Sequence, residues 1–346
     1  MERGGLSLSV LKKVAEIHAE ELTKTVSSKE PFQLIDENYR EDADIPTAVG
    51  ESAEEKYKDI KIDYNLIKKA IGEMTSSKSK DSNGIGKETL INIQESFIPS
   101  LVKLGNLTFK KGKVPEYLKT VHIIAIPKGA KSDEASGVRP INLTSNILKI
   151  WERVVKLQIY PYLEGKEYFS TAQHGFRKNR STSICLGKIM NVIQRNIKRG
   201  VHLVGLDFSK TFDVLDHEIM VQELKNAGFS GKAFQWISNW LVGNEFQCRI
   251  KDSLSKARKI TTGCRQGSTL GPLLFLIFIN SLLRKLPERM TFCYADNVML
   301  VVPFTNAENK NANLLQNMLD ICTKWSNENG LKFNVKKCHR VNLGQR

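Results

Sequence analysis

Residues 201–217, VHLVGLDFSKTFDVLDH, decide the fold that we predict for this chain. The stretch opens with a largely apolar run that suits a β-strand covered on both faces, and Asp207 lies where this strand ends. A second stretch, MTFCYADNVMLVV at residues 290–302, predicts two strands about a tight turn at residues 295–297. The turn contains Asp296, so each stretch presents an aspartate at the end of a predicted strand.

Asp207 and Asp296 are 89 residues apart, and their side chains converge if the two strands are neighbours. Carboxylates held in this way can bind divalent metal ions, which activate a hydroxyl group and stabilise a phosphoryl transition state. Each aspartate alone also has a structural explanation. Asp207 can hydrogen-bond the next turn, Asp213 and Asp216 can cap helices, and the pair Asp296 and Asn297 suits a hairpin turn because both residue types tolerate positive φ.

Helical and strand patterns extend outward from these two stretches. Helices are predicted at residues 9–25, 64–74, 90–111, 147–160, 183–199, 218–227, 232–241, 272–285 and 307–329. Further strands are predicted at residues 120–128, 138–144, 246–250 and 258–262, and a last strand or turn at 331–337. The strands at 120–128 and 138–144 form an antiparallel hairpin whose long polar tip could fold over a ligand.

Charge is distributed unevenly along the 346 residues. Residues 1–60 contain 8 basic and 14 acidic side chains, a net charge of −6. Because the whole chain carries +15, residues 61–346 carry a net charge of +21. We interpret residues 1–60 as an acidic, partly disordered linker and expect the basic part to bind a polyanion such as nucleic acid.

The six cysteines show neither a Cys-x-x-Cys pair nor the spacing of a zinc site. Free thiols favour a reducing, intracellular location. The sequence has no apolar run long enough for a signal peptide or a membrane span, which predicts a soluble chain.

Three segments, in this order, resemble core motifs of the reverse transcriptases of non-LTR retrotransposons, above all the jockey-like elements: LDFSKTFDVLDH, GCRQGSTLGPLLFLIFIN and FCYADN. Other family-like segments lie on either side of them. They are SKDSNGIGKETL, VHIIAIPKG, VRPINLT, ILKIWERVV, QHGFRKNRST and GLKFNVKKC. The resemblance extends from Tyr64 to Cys338.

The resemblance implies an α+β fold, the fingers and palm of a right-hand polymerase, with an antiparallel palm sheet backed by helices. It implies an RNA-directed DNA polymerase that uses an RNA template, a DNA primer, deoxynucleotides and two Mg²⁺ ions, which Mn²⁺ could replace. It also implies action in the cytoplasm and nucleus. Residues 61–346 would form fingers and palm, with core motifs at 120–338. We expect the chain to be a fragment in which the thumb is absent or incomplete.

Matching motif positions assigns roles to individual residues. Asp207 and Asp296 correspond to the metal-binding aspartates, and Asn297 takes the position of a third catalytic acid. Phe212 corresponds to an aromatic gate against the ribose 2′-hydroxyl.

The remaining matches concern the nucleotide. Lys128 and Arg139 on the fingers hairpin would grip its triphosphate. Gln266 and Gly267 would contact template and nucleotide, and Lys337 would lie near the departing pyrophosphate. Without the resemblance, the simplest interpretation of Lys128, Arg139 and Lys337 is that they are solvated surface residues.

Three positions differ from the family pattern: Asn297 replaces an aspartate, Arg265 a proline and Thr211 an alanine. Losing a carboxylate should weaken metal binding, so weak polymerase activity is our first hypothesis. The second is a catalytically inactive relic that binds RNA or an RNA–DNA duplex. A third is another palm polymerase, such as a relative of intron maturases or telomerase.

Overall fold

The structure is a computed structural model, and it describes residues 8–27, 29–32, 56–74, 80–81, 83–127, 138–251, 253–304 and 308–344. The α-helices of these ranges are α1 (Leu8–Val26), α2 (Tyr64–Gly72), α3 (Lys87–Asn92), α4 (Gln94–Lys111), α5 (Asn146–Gly165), α6 (Thr182–Asn196), α7 (Thr211–Val214), α8 (His217–Asn226), α9 (Gly231–Leu241), α10 (Gly271–Leu283) and α11 (Glu308–Glu328). The strands are β1 (Thr120–Pro127), β2 (Val138–Leu143), β3 (Val201–Asp207), β4 (Asn244–Ile250), β5 (Ser253–Leu254), β6 (Arg258–Ile260), β7 (Thr291–Tyr294), β8 (Asn297–Pro303) and β9 (His339–Leu343). This mixture of helices with two separate sheets agrees with the predicted α+β class.

The chain divides into two compact units. Unit 1 comprises Met1–Ile159 and His217–Gly271, and unit 2 comprises Tyr160–Asp216 and Pro272–Arg346. Each unit contains one sheet, so the two sheets are described separately.

The sheet of unit 1 is mixed, with the order β2–β1–β4–β5 and with β6 also paired to β4. The predicted hairpin is present, since β1 and β2 are antiparallel. Its tip, residues 128–137, lies outside the described residues. β1 and β4 are parallel, an arrangement that needs a long crossover between the strands. Trp151, Trp236 and Trp240 are fully buried in this unit.

Helix α1 corrects the interpretation of residues 1–60 as a linker only for the residues that the helix spans. The helix itself was predicted, but Ala15 and Ala19 are fully buried and pack in one apolar cluster with Val121 and Phe246 of the sheet. Small side chains on one helical face let the helix approach a sheet closely, so α1 belongs to the core of unit 1. Residues 33–55 lie outside the described residues.

The four strands of the sheet of unit 2 pair antiparallel, with the order β7–β8–β3–β9. Helix α6 covers one face, where its Cys185 and Ile193 cluster with Phe292 and Val301. On the other face of β8, Val298, Leu300 and Val302 are also buried. The strand that follows the acidic turn is therefore packed on both sides, as expected for an antiparallel sheet backed by helices.

Helix α10 is buried along almost its whole length, with side chains such as Phe275, Ile277 and Phe278 fully enclosed. A helix that is apolar all round belongs in the centre of a fold or in a membrane. Among the residues that the structure describes, none of the helices combines the length and the hydropathy that crossing a membrane requires.

Several helices differ from their predicted bounds, and two of these differences have a local explanation or change the number of helices. The helix predicted at residues 147–160 continues through Pro161 to Gly165. Proline removes one helical donor, and beyond it the last turn is held by the hydroxyl of Tyr160, which donates to Glu164 at 2.6 Å. The predicted helix at residues 90–111 is instead two helices, α3 and α4, which meet at Ile93.

Candidate active site

The two acidic stretches meet in the sheet of unit 2. Strands β3 and β8 pair antiparallel, and Asp207 lies directly opposite Asn297. Asp296 belongs to the two-residue turn between β7 and β8, because Tyr294 pairs with Asn297 across it. The predicted convergence of the two strands is therefore confirmed, whereas the chemical roles of the aspartates remain predictions.

Asp207 is mostly enclosed, with 17% of its side chain exposed. Its Oδ1 atom is buried and accepts no hydrogen bond from the described residues. The ammonium group of Lys337 lies 3.6 Å from the same oxygen. A 3₁₀ turn at Val335–Lys337 places this lysine, and it is tethered to the strand end because the amide of Asn334 donates to the carbonyl of Asp207 at 2.8 Å. Lys337 therefore forms an ion pair with Asp207, whereas its predicted role at the departing pyrophosphate stays a prediction.

Asp296 accepts a hydrogen bond on each of its carboxylate oxygens. The hydroxyl of Thr211 donates to Oδ2 at 3.1 Å, and the side-chain amide of Asn297 donates to Oδ1 at 3.3 Å. Both donors are residues at which this chain differs from the family pattern. The two substitutions therefore act on the same carboxylate, a connection that their positions in the sequence do not reveal.

If Asp296 and Asn297 occupied the turn because they tolerate positive φ, one of them would have a positive φ, and neither does. Of its residues, Ala295 is the one with positive φ, at 57°. The left-handed region is unfavourable for a residue with a Cβ atom, and such strain is often found at functional sites. The tolerance of Asp296 and Asn297 for positive φ is therefore not the reason that they occupy this turn.

Phe212 lies in the short helix α7 and is partly buried. Its ring packs against the buried ring of Phe275, with centroids 5.1 Å apart, and edge-on against Phe176 at 6.1 Å. Phe176 is 46% exposed and has a φ of 57°. The predicted gate residue is thus fixed from two sides by aromatic contacts, one of which comes from the QHGFRKNRST segment.

The other predicted nucleotide-binding residues belong to unit 1. Lys128 lies outside the described residues, and Arg139 lies in β2 opposite Ile126. Gln266 and Gly267 follow Arg265 in the loop before α10. Gly267 has a φ of 80°, which favours glycine. The roles of all four residues stay predictions.

Arg265 is buried, with 4% of its surface exposed. Its guanidinium donates to the carbonyl of Leu118 at 3.3 Å and to the side-chain oxygen of Asn244, and it lies over the ring of Trp240 at 5.3 Å. The arginine that stands in place of a proline therefore anchors its loop within unit 1. No pattern in the sequence indicates these partners.

Two further residues beside the turn were missed by sequence reasoning. Gln173, in the QHGFRKNRST segment, donates to the carbonyl of Ala295 and accepts from its amide. Thr211 was noted only as a departure from alanine. Within the described part of the chain, no three His, Cys, Asp or Glu side chains are grouped so that they could hold a metal ion.

Comparison with known proteins agrees with the motifs. A family model described as "Reverse transcriptase (RNA-dependent DNA polymerase)" matches residues 126–344. The chain is 26% identical over 281 residues to the "Probable RNA-directed DNA polymerase from transposon BS" of Drosophila melanogaster, covering 78% of this chain and 31% of that protein. It is 22% identical over 290 residues to the "RNA-directed DNA polymerase from mobile element jockey" of the same species, covering 81% and 31%.

A retrotransposable element of another type is also similar. The chain is 26% identical over 254 residues to the "Retrovirus-related Pol polyprotein from type-1 retrotransposable element R2" of Nasonia vitripennis, covering 69% of this chain and 24% of that protein. The chain thus spans about a third or less of the length of these relatives.

Proposed function

This chain belongs to the reverse transcriptase family, and from that premise we propose that it is an RNA-directed DNA polymerase domain of a non-LTR retrotransposon acting in the cytoplasm and nucleus. In the proposed reaction, the 3′-hydroxyl of a DNA primer attacks the α-phosphate of a deoxynucleotide that is paired to an RNA template, and pyrophosphate leaves. One observation carries the proposal above all. Asp207 lies opposite Asn297 in the β3–β8 ladder, which brings the acidic strand end next to the acidic turn.

The carboxylates fit a divalent cation by their chemistry. Magnesium prefers oxygen ligands, and Oδ1 of Asp207 is a buried oxygen that accepts no hydrogen bond from the described residues and has the ammonium group of Lys337 3.6 Å away, so it can still coordinate a metal ion. Asp207 and Asp296 would hold Mg²⁺ or Mn²⁺, with the amide oxygen of Asn297 as a weaker ligand. Bound there, the ions would supply positive charge to the transferring phosphoryl group.

The protein's own residues would orient the nucleotide and its leaving group. Lys337 carries a positive charge 3.6 Å from Asp207 and would stabilise the departing pyrophosphate. The ring of Phe212, held by Phe275 and Phe176, would occupy the space of a ribose 2′-hydroxyl.

Four further residues are proposed to bind the nucleotide or the template on their motif positions alone. Lys128 and Arg139 would bind the triphosphate, and Gln266 and Gly267 would contact the nucleotide and the template. Charge-removing variants of the two basic residues should raise the KM for deoxynucleotides more than they lower kcat.

Asn297 makes weak activity the expected state of this chain. An amide has no negative charge, so the site loses one of the three charges that hold the metal ions in the family. Restoring the carboxylate with Asn297→Asp should raise the rate of primer extension about hundredfold, which corresponds to about 2.7 kcal/mol of activation free energy.

Primer extension on an RNA template, with Mg²⁺ and then with Mn²⁺, tests the proposal. We expect slow extension by the unmodified chain, faster extension by Asn297→Asp, and none by Asp207→Ala. Asp320→Ala removes an exposed carboxylate of α11 and serves as the matched control, which should extend normally. Extension that survives Asp207→Ala would show that another site does the chemistry.

A second candidate function is binding of RNA or RNA–DNA duplex without catalysis. The observation that favours it is the pair of hydrogen bonds from Thr211 and Asn297, which satisfy both oxygens of Asp296 without any metal ion. In that case both the chain and Asn297→Asp bind RNA in a salt-dependent manner but extend no primer.

A further inference from the structure

The segment Ala172–Gly175 runs alongside strand β7 and supports the acidic turn from one side. The amide of Cys293 donates to the carbonyl of Ala172 at 2.8 Å, and the amide of His174 donates to the carbonyl of Cys293 at 2.7 Å. Between these bonds, Gln173 and Cys293 form a parallel bridge. The segment therefore extends the sheet of unit 2 by a short stretch of backbone that ends at the turn.

Gln173 holds Ala295 by both of its backbone polar groups. Its Oε1 accepts from the amide of Ala295 at 3.0 Å, and its Nε2 donates to the carbonyl of Ala295 at 3.1 Å. The same Oε1 accepts from the amide of Gly175 at 2.7 Å, so the side chain also fixes its own loop. Gln173 is 1% exposed, and a buried amide that meets all of its partners is rigid.

The neighbouring Cys293 adds a third contact to this arrangement. Its thiol donates to the carbonyl of Ala295 at 3.2 Å. Burial raises the pKa of Cys293, so the thiol keeps its proton and remains a donor. The carbonyl of Ala295 thus receives hydrogen bonds from two buried side chains.

These contacts hold Ala295 in a conformation that it would not adopt readily by itself. With a φ of 57°, Ala295 lies in the left-handed region, which alanine disfavours. Gly175 packs so closely that an added Cβ would lie 2.2 Å from the amide nitrogen of Ala295. Because Asp296 is the next residue, the direction of its carboxylate depends on how Ala295 is held.

We propose that Gln173 is a positioning residue that fixes the Asp296 carboxylate for metal binding by clamping the backbone of Ala295. The inference rests on the proposed function, because it assumes that Asp296 binds the cation. The alternative is that Gln173 only stabilises the fold of unit 2, as other buried side-chain amides do, and has no specific effect on metal binding.

Asn280 provides a matched comparison for that alternative. It is 2% exposed, accepts from the amide of Ser170 at 2.8 Å and donates to the carbonyl of Tyr168 at 2.7 Å. Like Gln173, it is a buried amide of unit 2 that bonds to backbone on both sides. Its hydrogen bonds do not reach the turn.

The test compares Gln173→Met with Asn280→Met, both in the Asn297→Asp chain. Mn²⁺ binding is measured by electron paramagnetic resonance, and hydrogen exchange is measured for a peptide that covers residues 291–298. We expect the Mn²⁺ dissociation constant to rise about tenfold in Gln173→Met and to stay within about twofold in Asn280→Met. Exchange at the turn should quicken only in Gln173→Met. Primer extension should show a lower kcat for that variant with an unchanged KM for deoxynucleotides.

A second variant covers the case in which Gln173→Met does not fold. Gly175→Ala keeps the Gln173 side chain but pushes a methyl group against Ala295, so it should weaken Mn²⁺ binding in the same direction. Equal weakening by Asn280→Met, or unchanged binding and exchange in both turn variants, overturns the proposal. If the Asn297→Asp chain itself neither binds Mn²⁺ nor extends a primer, the proposed function fails, and hydrogen exchange alone decides whether Gln173 clamps the turn.

Discussion

Arg265 departs from the family pattern in the sequence, but in the structure it makes specific contacts that hold its loop. It stands where the family has proline, and it is fully enclosed with Glu152 in unit 1. Glu152 accepts from the indole of Trp240 at 2.9 Å and from the amide of Thr269 at 2.6 Å. Burial lowers the pKa of Arg265 and raises that of Glu152, and in each case the opposite charge counteracts the shift. The two charges therefore depend on each other.

Replacing Arg265 with methionine keeps most of the volume but removes the charge. Glu152 would then lose the larger of the positive charges that act on it, those of Arg265 and Lys149, which should lower the free energy of unfolding by about 3 kcal/mol, measured by urea denaturation. Adding Glu152→Gln should recover part of the loss, because the amide oxygen still accepts hydrogen bonds. If the free energy of unfolding lost in the double variant equals the sum of the losses in the two single variants, the two charges do not interact.

The proposed gate role of Phe212 concerns which sugar the site accepts. In the Asn297→Asp chain, Phe212→Val should lower the preference for deoxynucleotides over ribonucleotides by about tenfold to a hundredfold, since the opened space admits a 2′-hydroxyl. The measurement is the ratio of kcat/KM for the two substrates. Phe212→Tyr retains the ring and should keep the preference, whereas an unchanged ratio in Phe212→Val would exclude the gate role.

At the scale of elements, the strands that carry the aspartates could be predicted because their apolar runs and the intervening turn are local signals. Strand β9 was missed, since most of its side chains are exposed and show no apolar alternation. It is defined by its backbone ladder with β3, which no local pattern encodes. The packing of α1, the clamp by Gln173 and the partners of Arg265 were missed for the same reason, because they depend on residues distant in sequence.

The junction between the end of α5 and the loop before α6 is held by an ion pair. Arg177 donates to Glu164 at 2.6 Å and also to the carbonyl of Ser170 at 2.9 Å. Burial alone would raise the pKa of Glu164, but hydrogen bonds from Arg177 and Tyr160 outweigh it and hold the pKa below its ordinary value. A lowered carboxyl pKa stabilises the fold above the unfolded-state pKa, and this stabilisation is lost as the pH falls through the folded-state value.

We therefore expect Glu164→Gln to lower the Tm at pH 7 by about 2 to 4 °C, corresponding to about 1 kcal/mol, and to matter progressively less as the pH falls through the lowered pKa of Glu164. Thermal melts followed by circular dichroism between pH 3 and 7 measure this. Glu95→Gln breaks an ion pair with Lys68 whose side chains are 73% and 51% exposed, and it should change the Tm far less. Equal effects of the two variants at pH 7 would contradict the assignment.

At the scale of the whole molecule, charge bears on the choice between polymerase and RNA-binding relic. The sequence carries a net charge of +15, and residues 61–346 account for +21. Binding to a polyanion driven by such charge releases counterions, so the affinity falls as salt is added. This binding depends on many basic side chains, whereas catalysis depends on a few carboxylates, and the two properties should therefore separate in variants.

We accordingly expect the affinity of the chain for an RNA–DNA primer-template to fall at least about tenfold between 50 and 200 mM salt, with a linear plot of log K against log salt concentration. Fluorescence anisotropy with a labelled primer-template measures this. Asp207→Ala should bind with the same slope and equal or slightly higher affinity, because it removes one negative charge from the site. If Asp207→Ala abolished binding together with extension, loss of extension could no longer be assigned to chemistry, and the separation of binding from catalysis would fail.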